Sequence, residues 1–242
     1  MKALLFAAGR GTRLKPLTDS MPKALVPVAG KPLLWHTLTR LREAGATEVV
    51  VNVHHFGEQI ISYLDKHDFG IPVHVSDERE ELLDTGGGLR QAMKLFTPTD
   101  NPILIHNVDI LSNAPLREFY EANKDADAAL MVSERVTNRY LLFDDNNYLC
   151  AWTNLQTGEV RTPFQNLDIA SLHRYAFSGI HLVSPRLLSF LEEFPKIFPI
   201  MNFYLQTCDQ LSFRGVFTPT LRLLDVGKQD TLKEAEDFLL TL

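Results

Sequence analysis

Apolar and polar positions alternate in blocks along the first half of the chain. Lys2 to Ala8 is a continuous apolar run ended by Gly9, the pattern of a strand covered on both faces in a parallel sheet. Lys31 to Ala44 predicts a helix: Pro32 suits its first turn, Leu34, Leu38 and Leu41 fall on one face, and Gly45 stops it. Glu48 to Val53 reads as a strand, Glu58 to Lys66 as a short helix, and Ile71 to Val75 as a third strand. A glycine loop, Thr85-Gly86-Gly87-Gly88, opens a helix through about Phe96, and Ile103 to His106 forms a strand that runs directly into Asn107-Val108-Asp109. The expected fold is α/β, a Rossmann-like, mostly parallel sheet with helices on both faces.

The second half is less regular. Pro115 to Asn123 predicts a helix, Ala128 to Ser133 a strand, and Tyr140 to Asp144 with Tyr148 to Thr153 a hairpin. Asn154 to Arg174 loses periodicity and reads as a surface excursion. Ala176 to Val183 is a strand followed by a helix from Ser184-Pro185 to about Glu193. Leu221 to Asp225 repeats the apolar strand with a terminal aspartate, Val226-Gly227 forms a turn, and Thr231 with Glu234 fits a capping box for a last helix, Leu232 to Leu240. One domain over 1–242 is expected, with two halves meeting at about residue 125.

Charge narrows the function classes. Lys and Arg number 24 against 30 Asp and Glu, a net charge of −6, so a nucleic-acid footprint is unsupported and any phosphate chemistry needs a local basic site. No apolar stretch reaches the roughly 18 residues of a membrane span. The apolar opening is too short for a signal-peptide core, so a cytoplasmic location is expected. Cys150 and Cys208 lack metal-type spacing and read as small buried hydrophobes. His54 and His55 are adjacent and point to opposite faces of an extended chain, which argues against a shared metal.

The chemistry concentrates in Phe6-Ala7-Ala8-Gly9-Arg10-Gly11-Thr12-Arg13-Leu14-Lys15-Pro16-Leu17-Thr18, followed by Pro22-Lys23. Two glycines at a strand-to-loop turn let backbone N–H groups converge on phosphate oxygens, and Arg13 and Lys23 add full charges. The third glycine of a dinucleotide fingerprint is absent, because position 14 is Leu14, and so is the GKS or GKT of a P-loop. Asp109 and Asp225 both end apolar strands, the place where open α/β sheets collect ligands.

This opening resembles the signature LAAGxGTRLxPLT with a downstream PK of the sugar-1-phosphate nucleotidyltransferases. The likeness continues through Asp84-Thr85-Gly86-Gly87-Gly88, Asn107 and Asp109, Phe177-Ser178-Gly179-Ile180 and Asp225-Val226-Gly227. The chain's length is most similar to the branch acting on N-acetylmuramate 1-phosphate with UTP. The resemblance implies transfer of a nucleotidyl group from a nucleoside triphosphate to a sugar 1-phosphate, with magnesium as cofactor, a nucleotide-binding half to about residue 125 and a sugar-binding, metal-completing half after it. It implies Arg13, Lys23 and Asp109 as catalytic residues and Asp109 and Asp225 as metal ligands. Ala7, Gly9, Gly11, Thr12, Arg13, Lys23, Gly86 and Asn107 would bind nucleotide. A guanylyltransferase for a mannose- or heptose-type 1-phosphate, and a non-catalytic sensor that binds the same ligands, are the alternatives.

Three positions depart from the family pattern: Val108 where glycine is common, Ala24 where proline is common, and a missing Glu-Lys-Pro segment on the sugar side. Arg139, Arg161 and Arg174, with Gly179, are the candidates for the sugar-phosphate site.

Overall fold

The computed structural model describes all 242 residues. The chain forms β1 (Lys2–Phe6), a ribbon of β2 (Pro27–Val28) and β3 (Lys31–Pro32), α1 (Leu33–Glu43), β4 (Glu48–Val53), α2 (Gly57–Lys66), β5 (Val73–Asp77) and α3 (Asp84–Met93). β6 (Ile103–Asn107), β7 (Ile110–Ser112), α4 (Leu116–Asn123), β8 (Ala128–Ser133), β9 (Arg139–Phe143), β10 (Leu149–Asn154), β11 (Glu159–Arg161) and β12 (His173–Val183) follow. The last elements are α5 (Leu188–Glu192), α6 (Ile200–Thr207), β13 (Phe213–Phe217), β14 (Leu223–Asp225) and α7 (Asp230–Leu239).

The predicted parallel sheet is the centre of a larger mixed one. β5, β4, β1 and β6 lie side by side and parallel, with Lys2 opposite Glu48 on one side and Ile103 on the other. β12 adds antiparallel to β6, β8 adds antiparallel to β12, and β13 adds parallel to β8. The first residues of β12 leave this sheet to pair with β9, which carries the β9–β10–β11 meander outward. β12 bends because its register with β8 slips between Phe177 and His181, where Gly179 takes φ +75°.

The continuous apolar runs of β1, β4 and β6 are explained by two cores, one on each face. Leu34, Leu38 and Leu41 of α1, Ile60 of α2, Phe119 of α4 and Ala235 of α7 fill one. Leu89 of α3, Leu191 of α5, and Phe203 and Tyr204 of α6 fill the other. Cys150 and Cys208 are buried free thiols, and Cys208 belongs to the second core.

Several expectations need correction. Gly86, Gly87 and Gly88 lie inside α3 and form no loop. A β-carbon on Gly86 would stand 2.2 Å from Phe198 Cε2, and one on Gly87 would stand 2.4 Å from the Lys196 carbonyl, so close packing selects them. Helix α1 begins at Leu33, because Lys31 and Pro32 pair with Pro27 and Val28. The capping box is not formed: α7 starts at Asp230, and Thr231 bonds back to Lys228. Part of the expected excursion is ordered as β11 and the start of β12. α6 and β13 are elements beyond those expected from the pattern of the chain. Asp225 ends a strand outside the main sheet, which pairs antiparallel with β7.

Candidate active site

Phosphate-side geometry begins where β1 stops. Asn52 of β4 accepts at Oδ1 from the Ala7 N–H (2.7 Å) and the Ala8 N–H (3.2 Å), which takes both amides off the ladder and turns the chain outward at Gly9. Gly11 sits at φ +62°, and a side chain there would meet Lys23 Cβ and Thr18 Cγ2, each at 2.9 Å. The Thr18 hydroxyl donates to the Gly11 carbonyl (2.8 Å) and pins the loop. Thr12 and Arg13 then form a single 3-10 turn whose Leu14 is buried, leaving Thr12 and Arg13 exposed on the outer side.

Charge converges on one lysine. Lys23 is only 7% exposed, and its ammonium is paired with Asp109 and lies 3.9 Å from Asp225 Oδ1. Arg13 Nη2 is 3.9 Å from Asp225 Oδ2. Pairing of β14 with β7 sets Asp225 opposite Ile110, and the Val226 N–H donates to the Asp109 carbonyl (2.9 Å), so two aspartates 116 positions apart (225 minus 109) become neighbours. Burial pushes the Asp225 carboxyl above the usual carboxylate range, and the negative charge of Asp109 adds to it; Lys23, Arg13 and Arg135 pull the other way. Asp225 Oδ1 is buried and accepts no hydrogen bond. A donor-starved oxygen beside a second carboxylate fits a hard divalent cation, which binds one or two carboxylates and completes its shell with phosphate oxygens and water.

Beside these charges a cleft of about 330 Å³ is lined by Phe6, Ala7, Ala8, Gly9, Lys23, Asn52, Leu82, Asp84, Thr85, Asn107, Val108 and Asp109. Five residues expected from sequence line it: Ala7, Gly9, Lys23, Asn107 and Asp109. Gly11, Arg13 and Asp225 stand next to it, joined through Lys23. Gly86 does not line it, because its N–H donates to the Phe198 carbonyl (2.8 Å) and its missing side chain makes room for that ring. Asp84 and Thr85, the two residues ahead of the glycines, face the cleft instead. Val108 lies in the lining, where the family's usual glycine would leave more room.

The sugar-side candidates divide. Gly179 is brought in: a β-carbon there would lie 2.7 Å from Asn107 Nδ2. Arg161 is committed elsewhere, to Glu159 (2.7 Å) and to the Trp152 ring (5.0 Å). Arg174 lies 6.0 Å from the Tyr140 ring, and Arg139 is exposed at the start of β9; none of the three lines the cleft. Sequence reasoning missed Arg135, which donates to the Phe177 carbonyl (3.3 Å) at the bend of β12 and whose charge reaches Asp225. Nothing in the sequence separates it from any other surface arginine.

A family model described as nucleotidyl transferase matches residues 2–140. Residue identity to the N-acetylmuramate alpha-1-phosphate uridylyltransferase of Caulobacter vibrioides is 33% over 192 residues, 76% of each chain. The protein of that name from Neisseria meningitidis serogroup B is 46% identical over 115 residues, 47% of this chain and 48% of the other. A mannose-1-phosphate guanyltransferase of Debaryomyces hansenii is 28% identical over 209 residues, 83% of this chain and 56% of that one. The matched segment thus spans about half the length of two of these three relatives. The crystal structure of HddC from Yersinia pseudotuberculosis with GMP-PN superposes with a TM-score of 0.76 at 21% identity, covering 98% of this chain and 99% of that one, and shares the fold. The chain belongs to the nucleotidyl transferase family, among the sugar-1-phosphate nucleotidyltransferases.

No helix is long and apolar enough to cross a membrane.

Proposed function

We propose that the chain catalyses attack of a sugar 1-phosphate on the α-phosphorus of a nucleoside triphosphate, giving a nucleoside diphosphate sugar and pyrophosphate. UTP and N-acetylmuramic acid 1-phosphate are the first choice, on the names borne by the Caulobacter and Neisseria relatives. GTP with mannose 1-phosphate is the second, on the name borne by the Debaryomyces relative. The observation that carries the reading is the convergence of Lys23, Asp109 and Asp225 beside the cleft at the carboxyl end of parallel β1 and β6.

The problem for such a reaction is charge. Two polyanions must meet in line, so the protein gains most by fixing positive groups where charge builds up on the leaving pyrophosphate. Lys23, buried and held by its carboxylate partners, is preorganised for the triphosphate. Arg13, exposed beside Asp225, is placed to take the β- and γ-phosphates as they depart. The acceptor's phosphate oxygen forms the new bond to the α-phosphorus, the bond to the bridging oxygen breaks, and its electron pair leaves with pyrophosphate. Asp109 and Asp225 would hold a magnesium ion, which supplies neutralisation of the phosphate oxygens when bound. Asn107, with Gly179 packed against it, faces the nucleotide, and Arg135 supplies the acceptor phosphate with the cation that the absent Glu-Lys-Pro lysine would otherwise provide. Both substrates are intracellular phosphates, so the reading puts the reaction in the cytoplasm.

The test is magnesium-dependent pyrophosphate release with UTP, GTP, CTP and dTTP against a panel of sugar 1-phosphates. Release with one matched pair is expected. Nucleotide binding without release from any pair would favour the sensor reading.

A further inference from the structure

Behind the cleft lies a polar chain that none of the proposed steps uses. Asn52 and Glu78 are 3% and 2% exposed, deep between β4 and the start of α3. Asn52 Oδ1 holds the Ala7 and Ala8 amides, and its Nδ2 donates to Glu78 Oε1 (2.9 Å). Glu78 Oε2 accepts from the Leu83 N–H (3.1 Å). The backbone of Glu78 is itself anchored, its N–H on the Val53 carbonyl (2.8 Å) and its carbonyl on His54 Nδ1 (2.7 Å). Gly88 leaves room for the junction, since a β-carbon there would stand 2.8 Å from Glu78 Oε1 and 3.2 Å from Asn52 Nδ2.

Every polar atom in this chain has one role. Two N–H donors face Asn52 Oδ1 and a carboxylate faces Nδ2, so the amide has a single orientation. Both Glu78 oxygens face donors and no cation is bonded to them, although burial pushes the carboxyl above its ordinary range. The two ends of this polar chain reach the two walls of the cleft: Ala7 to Gly9 on the phosphate side, and on the other, through Leu83, its neighbours Leu82, Asp84 and Thr85.

We propose that Asn52 and Glu78 are positioning residues, a buried tether that fixes the separation of the phosphate wall from the wall formed by Leu82, Asp84 and Thr85, and thereby sets the triphosphate geometry that the cleft accepts. A polar network this buried is sensitive to donor and acceptor count and tolerant of charge placement, because replacing one acceptor by a donor leaves two donors facing each other. In Glu78→Gln the new amide opposes either Asn52 Nδ2 or the Leu83 N–H. Adding Asn52→Asp restores the pattern: the carboxylate at position 52 accepts from the Ala7 and Ala8 amides and from the amide at position 78, whose oxygen accepts from Leu83.

The kinetic arm of the test rests on the nucleotidyl-transfer reading; the exchange arm does not. Glu78→Gln is expected to raise the triphosphate KM roughly tenfold, within the cost of misplacing a reacting group by an ångström or less, and to leave the sugar-phosphate KM within about twofold. Asn52→Asp alone sets two buried carboxylates face to face and is expected to lose more. The double variant recovers the triphosphate KM to within about threefold of the parent. Hydrogen exchange at Ala7, Ala8 and Leu83 speeds together in Glu78→Gln and slows again in the double variant, whether or not any substrate turns over. Equal changes in both KM values, exchange unaltered at Ala7 and Ala8, or a double variant no better than Glu78→Gln overturns the tether. If Glu78→Gln does not fold, the double variant must fold and show parental exchange, and its failure to do so also overturns it. A parent that shows tethered exchange with no turnover refutes the catalytic reading alone.

Discussion

Cationic side chains occur both around the cleft and on the β9–β10–β11 meander with the start of β12, yet the two regions hold them differently. Lys23 is buried, flanked by two carboxylates, and set there by three separate elements. Arg139, Arg161 and Arg174 lie on exposed strands, and Arg161 and Arg174 rest against aromatic faces. A buried charge costs several kcal/mol to desolvate unless its partners are fixed, so its position is specified by the fold. An exposed ion pair contributes about 0 to 1 kcal/mol and specifies little. The cation of the cleft is therefore placed by the fold, while those of the meander are held only by surface contacts.

The seam between the regions is the pairing of β6 with β12, where His106 and His181 are fully buried. Burial depresses both imidazoles from 6.5, to about 4 for His106 and to about 3 for His181. The unfolded chain then takes up protons that the folded chain refuses, so stability is full above about pH 6.5 and is lost as pH falls towards 4. Between pH 7.5 and 5 the loss is about 2 kcal/mol per histidine, readable as a lower urea midpoint. A midpoint that does not move would mean that the seam opens to water.

Lys23→Met, which keeps the stem packed beneath Gly11, is expected to lower kcat/KM roughly 10²-fold with the fold intact by circular dichroism. Parental turnover would remove Lys23 from the site. Smaller effects are expected across the cleft. Arg135→Ala raises the KM for sugar phosphate roughly tenfold, the scale of one charge-assisted hydrogen bond, while Arg161→Ala changes it less than about twofold. The reverse order would move the acceptor site onto the meander.

How much was legible follows the same division. Strand Glu48 to Val53 and strand Ala128 to Ser133 were readable to the residue, because both are apolar runs bounded by turns. The opening motif could be grouped as one candidate site because it is long and local. The contact of Gly86 with Phe198 was not legible, because an invitation to a ligand and a packing contact look alike until Phe198, over a hundred positions away, is in place. Asn52, Glu78 and Arg135 were missed for the same reason, since each acts through partners that only the fold supplies. The placement of Asp225 was half legible. Its strand could be read, but the pairing with β7 that sets it beside Asp109 could not.

That pairing makes Asp109, Asp225 and Lys23 one unit, and a double-mutant cycle tests it most directly. kcat/KM is measured against magnesium concentration for Asp109→Asn, Asp225→Asn and the pair together. Each single change is expected to cost roughly 10²-fold, and the double little more than the larger single, with magnesium dependence weakened throughout. Asp225→Asn should not lower the melting temperature, because it relieves a buried charge held next to another of the same sign. Losses that multiply, with the magnesium dependence of the parent retained, would show two independent aspartates and contradict the shared site.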